Sequence, residues 1–338
     1  MPVKRRAYRQ EQPVSTEAHA AAGQLASPAA DGGGVIHNIG YRRYEGERLG
    51  RWQIVRALTW HSLRAAFGIG RGAKAKIFPV LLFALMCLPA VVNAVALATA
   101  NGGGQPIVNY DDYIPSLRTV AMLIFIALEA PVLVSGDLRH HTLPLYFARP
   151  IHRIDYPAAK LLAFFLACLA MIEIPLLILY LGIVSQSHGA SDVWAQTRQL
   201  GPGLLYGAAW AALLASIGLL LASTTGKRVF AICAIGIPLF LSWVLANVLG
   251  HVGQQAFGPN GFGHPSALAS LAGLISPFTL LGGVLQWLRA PELLGPDDHR
   301  IGITIVGQYG SVYGVVFAVA LIAAIVGLVV RYRKVGVA

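Results

Sequence analysis

Two carboxylates fall inside long apolar runs, Glu129 and Glu173, and each is followed two residues later by a proline, Pro131 and Pro175. A charged group at such depth is costly and normally faces a bundle interior or a wet cavity. Each proline also frees a carbonyl one turn upstream, at Ala127 and Met171, where a helix can kink. At 1.5 Å per residue, Glu129 lies about 10 Å and Glu173 about 18 Å from the basic ends of their runs, too far apart in depth to share a proton directly. Two readings stand for this pair: pathway or gating residues, or protonated carboxyls satisfied by neighbouring helices.

A second group with chemical potential is the basic, proline-punctuated stretch 137–160, which holds His140, His141 and His152 with Asp137 and Asp155. The spacing matches no standard zinc arrangement, so no metal is assigned and the stretch reads as a solvated loop at a membrane edge. Adjacent histidines there can still tune an interface near neutral pH. A phosphate-cradling loop needs G-x-x-x-x-G-K-[ST]. Here Gly226-Lys227 is followed by Arg228, and position 221 is Leu. The run Gly68-Ile69-Gly70-Arg71-Gly72-Ala73 does not fit G-x-G-x-x-G and follows no strand. No catalytic residue and no bound cofactor is read from the chain.

The elements that must carry these residues are membrane spans. The chain is 56% hydrophobic and only 12% charged, far below the quarter charged of an ordinary soluble domain. About 20 apolar residues span the hydrocarbon core as a helix. Six runs qualify: 77–100, 118–135, 161–184, 204–223, 229–250 and 311–330. A seventh, 268–287, carries Ser276-Pro277 at its centre and Gly282-Gly283 after it. With six spans and an inner N-terminus, 22 of the 26 Lys and Arg fall on the inner side, a strong positive-inside bias. The net charge of +11 therefore points to membrane orientation and not to nucleic acid. The expected fold is an all-α polytopic membrane protein with six transmembrane helices and cytosolic N- and C-termini. Residues 265–290 are read as an outer re-entrant or interfacial hairpin, which must be covered by protein or line a cavity.

Residues 1–48 read as a disordered basic cytosolic arm without a cleavable signal peptide, followed by one membrane domain, 49–338. Before the first span, 50–67 reads as an amphipathic connecting helix in the plane of the interface. Trp52, Val55, Trp60, Leu63 and Phe67 share a broad face on a 3.6-residue wheel; Arg51 and Arg64 lie off it and Arg56 interrupts it. Cys87, Cys168 and Cys233 all fall in apolar runs and read as small hydrophobes.

The stretch from Ser135 to Ala163 resembles the loop after the second span in permease subunits of type-two ATP-binding-cassette (ABC) exporters. That loop reads acidic-x-x-x-x-T-L-x-x-x-x-x-R-P-x-x-R with a lysine opening the next span. Asp137, Thr142, Leu143, Arg149, Pro150, Arg153 and Lys160 occupy those places, and the departure is His140-His141. The connecting helix, the turn from Ser223 to Arg228 and the run from Leu274 to Phe278 resemble three further features of that family. The resemblance implies a bacterial exporter permease, multi-pass in the cell inner (cytoplasmic) membrane. It pairs with a second permease copy or paralogue and is driven by cytosolic ABC ATPase subunits that bind the ATP and Mg. It further implies that Asp137, Arg139, Thr142, Arg149, Pro150 and Arg153 form the coupling element. Arg51, Trp52, Arg56, Trp60 and Arg64 would then form the connecting helix, and Glu129 and Glu173 would be candidate pathway residues. Two other functions fit the residues alone: an intramembrane enzyme using Glu129, Glu173 or the histidines, and a scaffold that recruits a cytosolic partner.

Overall fold

The computed structural model describes residues 46, 50–99, 116–140, 142–148, 151–185, 187, 189–255, 267–287 and 309–335. The basic arm 1–48 therefore lies almost wholly outside them, as do His141, Arg149, Pro150 and the ends of the 265–290 segment. The chain divides after Arg48, and residues 49–338 form one unit. Ten α-helices are described, with no strand among the described residues. They are α1 (Arg51–Ala66), α2 (Ala73–Thr99), α3 (Ser116–Arg139), α4 (Leu143–Phe147), α5 (Asp155–Val184), α6 (Ala190–Ala222), α7 (Arg228–Gln255), α8 (Ala267–Ala272), α9 (Pro277–Trp287) and α10 (Gly310–Val335).

Six of these, α2, α3, α5, α6, α7 and α10, are long and apolar enough to cross a membrane. Their order matches the six apolar runs, but two helices begin well before the runs do. Helix α6 starts at Ala190, 14 residues ahead of 204, and α5 starts at Asp155, six residues ahead of 161. Hydropathy locates the hydrocarbon-matched stretch; the helix continues past it wherever its backbone can stay hydrogen-bonded and polar side chains can face out. In α6 the early turns carry exposed Ser191, Asp192 and Arg198, and Thr197 shares a 2.7 Å hydroxyl–hydroxyl hydrogen bond with Tyr180 of α5.

Helix α3 is central: 72% of its apolar window is buried within the protein, against 17% for α10. Met122, Phe125, Ile126 and Leu133 of α3 pack against Phe164, Cys168 and Met171 of α5 and Leu214 and Leu219 of α6. The flanking α2, α7 and α10 turn Leu81, Val95, Phe230, Leu241, Val319 and Ile322 outward. An apolar outer surface of that extent suits hydrocarbon, not water. Pro131 and Pro175 lie inside α3 and α5, which both continue through them.

The 268–287 run is not one helix. Helix α8 passes into a 3₁₀ turn, Gly273–Ile275, then Ser276 adopts an extended conformation (φ −116°, ψ 134°) and Pro277 opens α9. Proline is favoured at a first helical position because its missing N–H would be unpaired there anyway. Thr279 Oγ1 donates to the Gly273 carbonyl at 2.8 Å and closes the break. The segment packs inside the protein, where Tyr313 of α10 donates to the Ser270 carbonyl at 2.8 Å and Phe278 meets Trp210 of α6.

Candidate functional site

One end of the bundle gathers the basic residues. There α3, α6 and α10 finish and α5 and α7 begin. Ser135 donates to the Ala222 carbonyl, and Gly226 lies against the Arg139 backbone. Arg331 donates to the carbonyls of Ser223 (2.9 Å) and Thr224 (3.2 Å). A helix end leaves four carbonyls unpaired, so a cation placed there is favourable in both hydrogen bonding and dipole.

At this end the segment between α3 and α5 folds around Asp137. Its carboxylate accepts from Tyr156 Oη at 2.6 Å, Lys160 Nζ at 2.9 Å and Thr142 Oγ1 at 3.3 Å. Lys160 is 6% exposed and lies 5.5 Å over the Tyr156 ring. Tyr156 is packed in turn by Tyr146, Phe147 and Tyr332. Asp137 and Thr142, expected in the coupling element, are thus internal braces that fix the path of the segment and of α4. Arg139 and Arg153, expected beside them, are exposed and form no ion pair among the described residues. Sequence reasoning did not single out Tyr156; its place between a charged loop and a lysine was the available signal.

In α1 the apolar face divides: Val55, Leu63 and Phe67 pack against the core, and the two tryptophans do not. Trp52 is 76% and Trp60 60% exposed, whereas Val55, Leu58, Thr59, Ser62 and Ala66 form the packed side. Indole suits a membrane interface as well as a core, so a hydrophobic wheel merges two adjacent faces with different neighbours. The helix does not lie flat across the bundle end. Arg51 sits at the first turn of α5. Just past the other end of α1, Phe67 meets Phe125, which stacks on Phe164, nine residues further along α5. The helix therefore climbs obliquely along α5.

Ionic contacts hold both ends of that incline. Arg51 makes a two-pronged contact with Asp155, Nε to Oδ2 at 2.7 Å and Nη2 to Oδ1 at 2.6 Å. Asp155 beside it pushes the guanidinium pKa further above its ordinary value. Asp155, the first residue of α5, also accepts from the His152 backbone N–H at 2.8 Å, which ties the preceding turn to the helix. Past the other end, Arg71 Nη2 lies 3.4 Å from Glu129 Oε2. The link that delivers Arg71 turns on Gly68, at φ +69°, where a Cβ would strike the Ala75 carbonyl oxygen. Only glycine fits there. Arg56 and Arg64 of α1 are exposed.

The two intramembrane carboxylates are not brought together. Glu129 is buried against Arg71. Glu173 is buried at the α5–α6 contact, where a Cβ on Gly207 would collide with its Oε1. Its two oxygens accept no hydrogen bond. Elsewhere on α3, the Arg118 guanidinium lies 5.1 Å over the Trp210 ring and 5.9 Å over the Tyr206 ring. Among the described residues no three His, Cys, Asp or Glu gather closely enough to hold a metal ion. No protein-family model matches the chain, and no curated protein matches it.

Proposed function

We propose that this chain is the membrane subunit of an ATP-driven exporter of the type-two ABC class, working with ATPase subunits that are separate polypeptides. In this reading the basic end faces the cytosol of a bacterial cell, the 267–287 segment lies toward the opposite face, and a second permease copy or paralogue completes the pathway. The observation that carries the proposal is the braced segment between α3 and α5. Its Asp137–Tyr156–Lys160 centre is tied to two spans, and its neighbour Asp155 is tied by Arg51 to α1. A push on such a segment moves α3, α5 and α1 together instead of being lost in loop flexibility. The exposed Arg139 and Arg153 are free to pair with an acidic partner surface, and arginine forks suit carboxylates. The sequence resemblance sets the partner's class. The nucleotide and its Mg belong to that partner.

The test is purification from the native host with ATP hydrolysis as the readout. The chain is expected to bring down a stoichiometric ATPase activity, and Arg139→Glu with Arg153→Glu to release that activity while the variant stays monodisperse. ATPase recovery unchanged by the double charge reversal would remove this segment as the contact. Absence of any ATPase activity from the purified native chain would remove the exporter reading itself.

A further inference from the structure

From Leu49 to Tyr110 the chain carries six cations, Arg51, Arg56, Arg64, Arg71, Lys74 and Lys76, and no carboxylate. Two of the six are neutralised by other parts of the protein, Arg51 by Asp155 and Arg71 by Glu129. The other four are Arg56 and Arg64 on α1 and Lys74 and Lys76 in the first turn of α2. All four are exposed and form no ion pair among the described residues. Like charges along one stretch of surface repel, and a counter-charge from outside relieves that repulsion.

The setting of these cations says what kind of counter-charge fits. Arg56 and Arg64 alternate with Trp52 and Trp60 at four-residue intervals, which puts all four on one exposed side of α1. Trp60 stands between the two guanidiniums and lines a groove with Gln53, Arg56 and Ala57. At the far end of α1 the Gly68 turn lies against the Ala75 carbonyl, so α1 ends where α2 begins. On α2 the surface changes at once from Lys74 and Lys76 to the outward-facing Ile77, Phe78, Val80 and Leu81. That change marks the edge of the hydrocarbon, and the headgroup layer beyond it is roughly 5–8 Å deep. Arg64, one turn before Gly68, falls in that layer. An acidic protein surface matches the charges but leaves the exposed indole and the adjoining apolar surface of α2 unused. A zwitterionic lipid suits the indole but brings its own cation. A lipid with a net negative phosphate headgroup meets both demands. Guanidinium forks fit phosphate oxygens, and indole favours the boundary between headgroup and acyl chain.

We propose that the elbow between α1 and α2 binds anionic phospholipid. Headgroup phosphates sit on Arg56, Arg64, Lys74 and Lys76, Trp60 lies at the glycerol level, and the acyl chains run along Ile77 and Phe78. The inference stands whether or not an ATPase binds the chain. For the test, the full chain purified in detergent is given equal amounts of dioleoyl phosphatidylglycerol and dioleoyl phosphatidylcholine, and the retained lipids are counted by native mass spectrometry. One cation beside an anionic headgroup predicts at least about fivefold preference for phosphatidylglycerol. Arg56→Gln with Arg64→Gln is expected to bring retention of the two lipids close to equal, and Lys74→Gln with Lys76→Gln to lower the preference. Arg333→Gln with Lys334→Gln removes two exposed cations from the end of α10 and is expected to leave it unchanged. Equal retention of the two lipids by the unaltered chain would overturn the proposal. So would a preference lowered as much by the α10 pair as by the α1 pair, since it would then follow net charge alone. If the α1 variant does not stay monodisperse, the Lys74 and Lys76 variant decides, and an unchanged preference in it overturns the proposal. Equal retention together with loss of a co-purifying ATPase in the α1 variant would give this face to a protein partner instead.

Discussion

Lys160 is a full positive charge in a nearly closed environment, and Asp137 is the one carboxylate paired with it among the described residues. Removing one member of a buried pair strands the other, which costs more than the pair's net contribution. Lys160→Ala is therefore expected to destabilise the protein by about 3–5 kcal/mol, read as a fall in thermal midpoint in detergent. Lys160→Met combined with Asp137→Asn should recover most of that loss, because no unpaired charge remains. A midpoint shift no larger than that of exposed Arg153→Ala would show that the pair carries no such weight. At this scale the sequence was informative about residue types and silent about partners. Glu129, Glu173, Asp137 and Lys160 all stood out by charge in or beside apolar runs. Arg71 did not, because it lies among glycines in a run that matches no motif. The Arg51–Asp155 contact joins positions 104 apart and leaves no local trace.

Helix α1 shows what a hydrophobic pattern can and cannot place. The helix, Arg51–Ala66, lies within the stretch 50–67 read from the sequence. Its orientation depends on which neighbour each face meets, and an indole against lipid is indistinguishable in a sequence from an indole against protein. The same blindness displaced the start of α6, whose polar early turns stay helical beyond the apolar stretch. Since α1 is held at its start by Arg51–Asp155 and just beyond its end by Arg71–Glu129, the two contacts should act on different parts of it. Asp155→Asn is expected to speed backbone hydrogen exchange in the first half of α1 and to leave the Phe67–Gly70 turn unchanged. Glu129→Gln should do the reverse. Exchange that rises uniformly along α1 in both variants would mean that apolar packing on α5, and not the ionic ends, fixes its position.

Across the whole molecule, the number of crossings decides which residues share a compartment. Twenty-two of 26 Lys and Arg fall on one side only if 268–287 does not cross. The geometry gives an independent reason for the same number. Arg331, near the end of α10, donates to the carbonyls that close α6, so the ends of those two helices lie side by side. Helix α7 starts at that end and α10 finishes there, an arrangement that agrees with a 267–287 segment that does not cross. Its break at Ser276-Pro277 and its packing under Tyr313 are what a segment needs to remain at one level while its backbone stays satisfied. With Cys87, Cys168 and Cys233 replaced by alanine, single cysteines at Ser191 and Thr224 report the two sides of the membrane. A membrane-impermeant maleimide applied to intact cells is expected to label Ser191→Cys, and to label Thr224→Cys only after permeabilisation. Arg333→Cys should follow Thr224→Cys. Labelling of Arg333→Cys in intact cells would place the end of α10 on the far side and restore a seventh crossing. Labelling of Thr224→Cys in place of Ser191→Cys would invert the molecule, carry the braced segment away from the cytosol, and leave an ATPase nothing on this chain to push.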